Sequence, residues 1–202
     1  MKKLFVSSLA LLLAMAAPAS AQRVIGFHGG LNISDLGADA NASTETGANI
    51  GASILFPLSG RLGLHLEASY SEKGAEADGG SDQGEISLDY LEFPVLLRYG
   101  FPTPGNIGFH VYGGGALSFE LDCELSGGGI SDVDCKDVGF DTNTTDFGLM
   151  AGAGLDYGVG AGIDLVLDAF YNYGLRDIDD STNDDVKNRT FTIRAGVAVP
   201  LR

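Results

Sequence analysis

Lysine is scarce in this chain of 202 residues: beyond Lys2 and Lys3 it occurs only at positions 73, 136 and 187. Positive charge is short altogether, with 12 Lys and Arg against 27 Asp and Glu and a formal net charge of −15. So acidic a chain argues against a nucleic acid partner, which needs basic patches. After residue 17 no segment approaches the roughly 20 consecutive apolar residues of a membrane-spanning helix. Cysteine is limited to Cys123 and Cys135, and no phosphate loop or dinucleotide fingerprint sits between a strand and a helix.

The apolar run at 4–17, headed by Lys2 and Lys3, has the layout of a secretory signal. Pro18 breaks it, and Ala19-Ser20-Ala21 supplies small residues for a signal peptidase. The expected division is a signal peptide at 1–21, cleaved after Ala21, and one domain at 22–202 whose formal charge moves from −15 to −17 as Lys2 and Lys3 leave. The run is too short to be a membrane anchor. No Cys follows the expected cleavage site, so a lipid-modified N-terminus is not expected. In an exported chain Cys123 and Cys135 read as a disulfide. The alternatives are free thiols, disfavoured by an oxidising compartment, or a two-Cys metal site, which lacks nearby His.

What the chain does have is alternation. Leu62, Leu64, Leu66, Ala68 and Tyr70 are interleaved with Gly63, His65, Glu67, Ser69 and Ser71. A period of two is the mark of a strand with unlike faces. The pattern recurs over 24–34, 48–58, 62–71, 86–101, 107–121, 139–159, 163–177 and 187–201. Tight Gly/Pro-rich turns at 59–61, 102–106 and 160–162 alternate with long polar connections at 36–47, 72–85, 122–138 and 178–186. An exported chain without spanning helices has one solution left in a bilayer, a closed barrel. The fold class is therefore all-β, an eight-stranded antiparallel up-and-down transmembrane β-barrel. The expected location is the outer membrane of a Gram-negative-type bacterium, with both termini periplasmic.

One face of each strand reads as lipid-facing: Phe191, Ile193, Ala195, Val197, Val199 and Leu201 in the last, for example. Aromatics gather at Phe56, Tyr99, Phe101, Phe109 and Tyr157 near the short turns. Tyr70, Tyr90, Phe119, Phe147, Tyr171, Tyr173 and Phe191 lie nearer the long connections, as two interfacial girdles would. A soluble carrier barrel of the lipocalin kind has the same period with its faces reversed. Lysine decides for the membrane. The three Lys positions are assigned to long connections or their edges, whereas a soluble barrel scatters Lys over its exposed faces. On a lipid face Lys or Arg costs about 2–4 kcal/mol at the midplane.

The opposite face carries a set of charges that is expected to form a network inside the barrel: Glu67, Glu92, Arg98, Glu120, Asp156, Asp168, Arg176 and Arg194. Asp164, His28, His65 and His110 share that face. An eight-stranded bore is just wide enough for side chains to fill. Charges held there must pair, because isolated burial is expensive. A packed polar plug is the preferred reading, and an ion path or gate is the alternative. Inward Gly148, Gly152 and Gly154 leave room for longer neighbours. The three histidines fall on strands one, three and five, so no shared metal site is expected. No base accompanies the Ser and Asp of the long connections, so no catalytic residue is assigned. Oxygen ligands alternate along 177–185, but Thr182 and Asn188 stand where a calcium loop has its Gly and Glu. That run reads as a solvated acidic loop, and no cofactor is expected.

The segment Asp89-Tyr90-Leu91-Glu92-Phe93-Pro94-Val95-Leu96-Leu97-Arg98-Tyr99 resembles the PorT-like family of outer-membrane β-barrel proteins, whose fourth strand typically reads like YLEIPLLLKY. Glu67 with Tyr70, the pair Lys73-Gly74, and Tyr171-Asn172-Tyr173-Gly174-Leu175-Arg176-Asp177-Ile178 extend the likeness across the expected mature chain. Outer-membrane barrels often finish in an aromatic residue, whereas this chain finishes Val199-Pro200-Leu201-Arg202. The resemblance implies fold and location and says little about activity. The expected role is non-enzymatic: structural, binding or accessory to secretion. The expected partners are outer-membrane lipid and an extracellular or secretion-system protein. A narrow porin-like channel for ions or small solutes is the alternative.

Overall fold

A computed structural model describes residues 22–35, 42–77, 84–127, 130–138, 143–176 and 187–201. The expected signal peptide at 1–21 and the acidic run at 177–185 lie outside the described residues. In chain order the strands are β1 (Val24–Asp35), β2 (Ala42–Ser59), β3 (Leu62–Ala77), β4 (Gly84–Phe101), β5 (Ile107–Gly127) and β6 (Ile130–Asp134). A short 3₁₀ turn (Cys135–Val138) follows, then β7 (Thr145–Gly160), β8 (Ile163–Gly174) and β9 (Arg189–Pro200).

Eight of these strands close into an antiparallel barrel. The order β4-β3-β2-β1-β9-β8-β7-β5 is completed by pairing of β4 with β5. First and last strands join in an unbroken register from Val24↔Pro200 to Asp35↔Arg189, so neither is left as an edge. β6 is no barrel stave. It folds back on the end of β5, with Leu125 opposite Val133.

Burial follows the alternation. Phe27 and Ile50 are each 61% exposed on the outside, whereas Glu67, Asp168 and Arg194 are buried within. The outward apolar sides anticipated on the last strand appear with Phe191, Ile193 and Val197 exposed. A barrel that presents its apolar side chains outward and its charges inward is built for hydrocarbon, and the lipocalin alternative is thereby excluded. The three tight turns sit where the Gly and Pro residues place them. Gly60, Gly105, Gly160 and Gly162 have positive φ, and Ala161 joins them at 54°.

Four readings of the sequence need correction. β2 starts at Ala42 and β3 runs on to Ala77, so much of two anticipated loops is strand. Lys73 therefore belongs to β3, where the inward parity of His65, Glu67, Ser69 and Ser71 carries it into the lumen, 1% exposed. Tyr90 is also fully buried inside, so it is no part of the outer girdle. The end of β5 and all of β6 occupy the connection expected at 122–138, where polar residues hide the period.

Candidate functional site in the barrel lumen

Seven of the eight staves send side chains to one belt across the bore. β3 supplies His65 and Glu67, β9 Arg194, β8 Asp168, β5 His110, β7 Asp156, β4 Arg98 and β1 His28. Arg194 Nη1 donates to Glu67 Oε1 at 2.6 Å, and its Nε donates to Asp168 Oδ2 at 3.4 Å. Asp168 Oδ1 lies 2.8 Å from His110 Nε2, and His110 Nδ1 lies 2.9 Å from Asp156 Oδ2. Asp156 holds the Arg98 guanidinium in a close ion pair. At the other end, His65 Nε2 is 3.2 Å from Glu67 Oε2, and His28 Nε2 is 3.4 Å from Glu67 Oε1.

Glycine makes the belt sterically feasible. A Cβ at Gly154 would overlap both Asp168 Oδ1 and His110 Nε2. Gly51 of β2 leaves equivalent room, since a Cβ there would come within 2.8 Å of His28 Nε2. Gly148 and Gly152 face Asn172 and Phe170 in the same way, so all three glycines singled out in the sequence sit beside larger β8 side chains.

An apolar layer rests on the belt toward the long connections: Leu96, Tyr112, Ala116, Met150 and Phe170. Tyr112 stands edge-on to His65 and His110, with ring centroids 5.2 and 4.9 Å away. The Arg194 guanidinium stacks 4.3 Å from the Phe170 centroid, a contact favoured in a desolvated setting. Hydrocarbon thus covers the charged belt on one side and keeps water from competing for its hydrogen bonds.

Beyond that layer the chemistry changes. Lys73 Nζ donates to Glu92 Oε1 at 2.6 Å and lies 5.2 Å from the Tyr90 ring centroid. Ser118 Oγ donates to the same carboxylate oxygen at 2.9 Å, and Asn172 Nδ2 approaches it at 3.5 Å. Asn188 Nδ2 donates to Asp146 Oδ2 at 3.1 Å. Over this sits an apolar cap of Leu88, Tyr90, Cys123 and Cys135, flanked by Ile86 and Leu125. Cys123 and Cys135 are joined as a disulfide, Cα to Cα 5.5 Å, which ties the 3₁₀ turn to the barrel wall.

At the short-turn end the belt is open instead. A cavity of about 210 Å³ lies against it, lined by Val24, Leu55, Val166 and Ala198 and by His28, His65, Arg98, Asp156, Asp164 and Arg194 among others.

The anticipated charge network is thus divided. Glu67, Arg98, Asp156, Asp168 and Arg194 meet in the belt, and all three histidines join them. Glu92 forms a separate cluster with Lys73, a partner the sequence reading missed. Extending the alternation of β3 by one residue pair beyond Ser71 would have found it. Glu120 is half-buried farther out, opposite Tyr90 in the β4–β5 register. Asp164 lines the cavity and stays outside the belt. Arg176 does not enter the bore. It is exposed past the end of β8, donating to Thr145 O at 2.9 Å and Asn143 Oδ1 at 2.8 Å. Once the strand ends at Gly174, alternation no longer assigns a face. Among the described residues no group of three or more His, Cys, Asp or Glu is arranged to hold a metal ion.

Comparison with solved structures fits this architecture. The outer membrane protein OprG from Pseudomonas aeruginosa superimposes with a TM-score of 0.60 at 14% identity, covering 90% of this chain and 97% of that one. Neisserial surface protein A (NspA) superimposes with a TM-score of 0.55 at 16% identity, covering 89% and 97%. At such identities the likeness speaks for the fold alone. No curated protein matches the sequence. A family model described as outer membrane protein beta-barrel domain matches residues 18–180. With most of the chain so matched, a closed eight-stranded wall and an apolar exterior, this protein belongs to the outer membrane protein beta-barrel domain family.

Proposed function

We propose that the protein is a plugged, non-enzymatic outer-membrane barrel of the PorT-like kind, whose role is structural, binding or accessory to secretion and is carried by its acidic connections. The observation that supports this most is the belt. Side chains from seven staves meet across the bore in ion pairs, with the Leu96, Tyr112, Ala116, Met150 and Phe170 layer stacked on them. Opening such a bore to solutes requires separating buried charges, which costs several kcal/mol per ion. The non-enzymatic reading is supported by the partners of the histidines, which are carboxylates and arginines rather than a Ser or Cys nucleophile. The PorT-like reading is supported by the strand-four segment from Asp89 to Tyr99.

The long connections face the exterior and both termini the periplasm in this reading, after removal of residues 1–21. Its partners are outer-membrane lipid and an extracellular or secretion-system protein, with no nucleic acid. Planar-bilayer recording of refolded protein tests the plug. The expected result is no reproducible opening. Discrete conductance steps that Arg98→Gln or Glu92→Gln alters would instead establish the narrow channel. Amine labelling of intact cells tests orientation: Lys136 is expected to react and buried Lys73 to be spared.

A further inference from the structure

The cavity at the short-turn end is more than the mouth of the plug. Its walls toward the opening are aliphatic: Val24 on β1, Leu55 on β2, Val166 on β8 and Ala198 on β9. Tyr112 also belongs to its lining, as do Asp156 and Asp164 on the adjoining strands β7 and β8. Gly26 and Gly196 also line it, on adjoining strands where the inward position carries no side chain to fill the space. At about 210 Å³ it has the volume of roughly seven liquid waters, or of one short organic molecule.

The charge around it is unbalanced. The belt and cavity together hold four carboxylates, Glu67, Asp156, Asp164 and Asp168, against two guanidiniums, Arg98 and Arg194, and the three histidines face Glu67, Asp156 and Asp168 rather than Asp164. Both guanidiniums are committed: Arg194 to Glu67 and Asp168, Arg98 to Asp156. Asp164 is the carboxylate left outside these pairs, with Asp156 as a like-charged neighbour and with Arg98, already held by Asp156, as its neighbouring cation. An anion brought here meets surplus negative charge. A neutral guest leaves Asp164 to share with Asp156 the single guanidinium of Arg98. A cation with a short hydrocarbon tail answers both features, its head against Asp164 and Asp156 and its tail on the aliphatic walls.

We propose that this cavity is a binding site for small alkylammonium compounds that enter from the short-turn end. Asp164 is its selectivity residue, and the site does not depend on whether the lumen conducts. Titration calorimetry of refolded protein in a nonionic detergent, with n-butylammonium, butyrate and butanol as probes, tests this. Saturable binding of butylammonium but not of butyrate is expected. Asp164→Asn is expected to weaken it about tenfold, the worth of one lost charge contact near 1.4 kcal/mol. Ala198→Leu, which adds bulk to the aliphatic wall, is expected to abolish binding while heat-modifiable migration on gels stays normal. Asp137→Asn, at an exposed position of the 3₁₀ turn, is expected to change nothing. Equal binding of butyrate, binding that persists unchanged in both Asp164→Asn and Ala198→Leu, or no saturable heat with any probe would each overturn the proposal. A conducting barrel with a selective cavity would contradict the plug alone, and a silent barrel with an indifferent cavity would contradict this site alone.

Discussion

In the short-turn half of the lumen, charge is held against charge: Arg194 is shared by Glu67 and Asp168, and Arg98 is clamped on Asp156. In the long-connection half, the buried ion pair of Lys73 with Glu92 is embedded among hydroxyls and amides under a disulfide-tied cap. The first arrangement is tightly coupled, since one guanidinium, Arg194, answers two buried carboxylates, and its loss leaves Glu67 and Asp168 with histidine partners alone. The second is redundant, because Ser118 and Asn172 still approach Glu92 if the lysine is gone. Both fill the bore of an eight-stranded barrel, but they distribute the consequences of damage differently.

Breaking each half in turn sharpens this contrast. Arg194→Met is expected to have the largest effect, destabilising the barrel by about 3–5 kcal/mol because two buried carboxylates, Glu67 and Asp168, lose their shared guanidinium and keep only histidine partners. Urea unfolding in lipid vesicles, followed by tyrosine fluorescence, reads it. The double change Cys123→Ser with Cys135→Ser is expected to cost about 2–4 kcal/mol for a link spanning a short loop. It should also make Lys73 reactive toward amine reagents as the cap loosens, with peptide mass spectrometry as the readout. Lys73→Met should cost about 1–3 kcal/mol, less than Arg194→Met, since Glu92 keeps two neutral donors. Asp164→Asn, outside the belt, should stay within about 0.5 kcal/mol of the parent. If Lys73→Met proved as damaging as Arg194→Met, the contrast between the halves would be wrong.

The staves and their lipid sides could be read from the sequence because the bilayer enforces a strict period of two. Every outward position must be apolar, so Leu165 and Leu167, or Ile193 and Val197, declare themselves. The interior composition was legible for the same reason. Its pairings were not, because contacts such as Glu67 with Arg194 join strands far apart in sequence across a bore whose stagger the pattern does not encode. Where the wall extends beyond the bilayer, the hydrocarbon no longer constrains the outward side. There the period fades, and Lys73, Tyr90 and the β5–β6 hairpin were misplaced. The register shift between Asp89 and Tyr90 compounds this, since it resets which β5 residues face inward and brings Cys123 opposite Leu88. Arg176 failed differently: it kept the right parity, but its strand had already ended at Gly174.

The chain contains no tryptophan, so a single introduced indole reports its own surroundings. Leu167 and Phe170 lie on one strand, 50% and 1% exposed, on opposite sides of the wall. In vesicles of brominated lipid, Leu167→Trp fluorescence is expected to be strongly quenched and Phe170→Trp fluorescence to be nearly untouched. Quenching at position 170 with protection at 167 would mean that the wall faces the other way, and the account would fall with it.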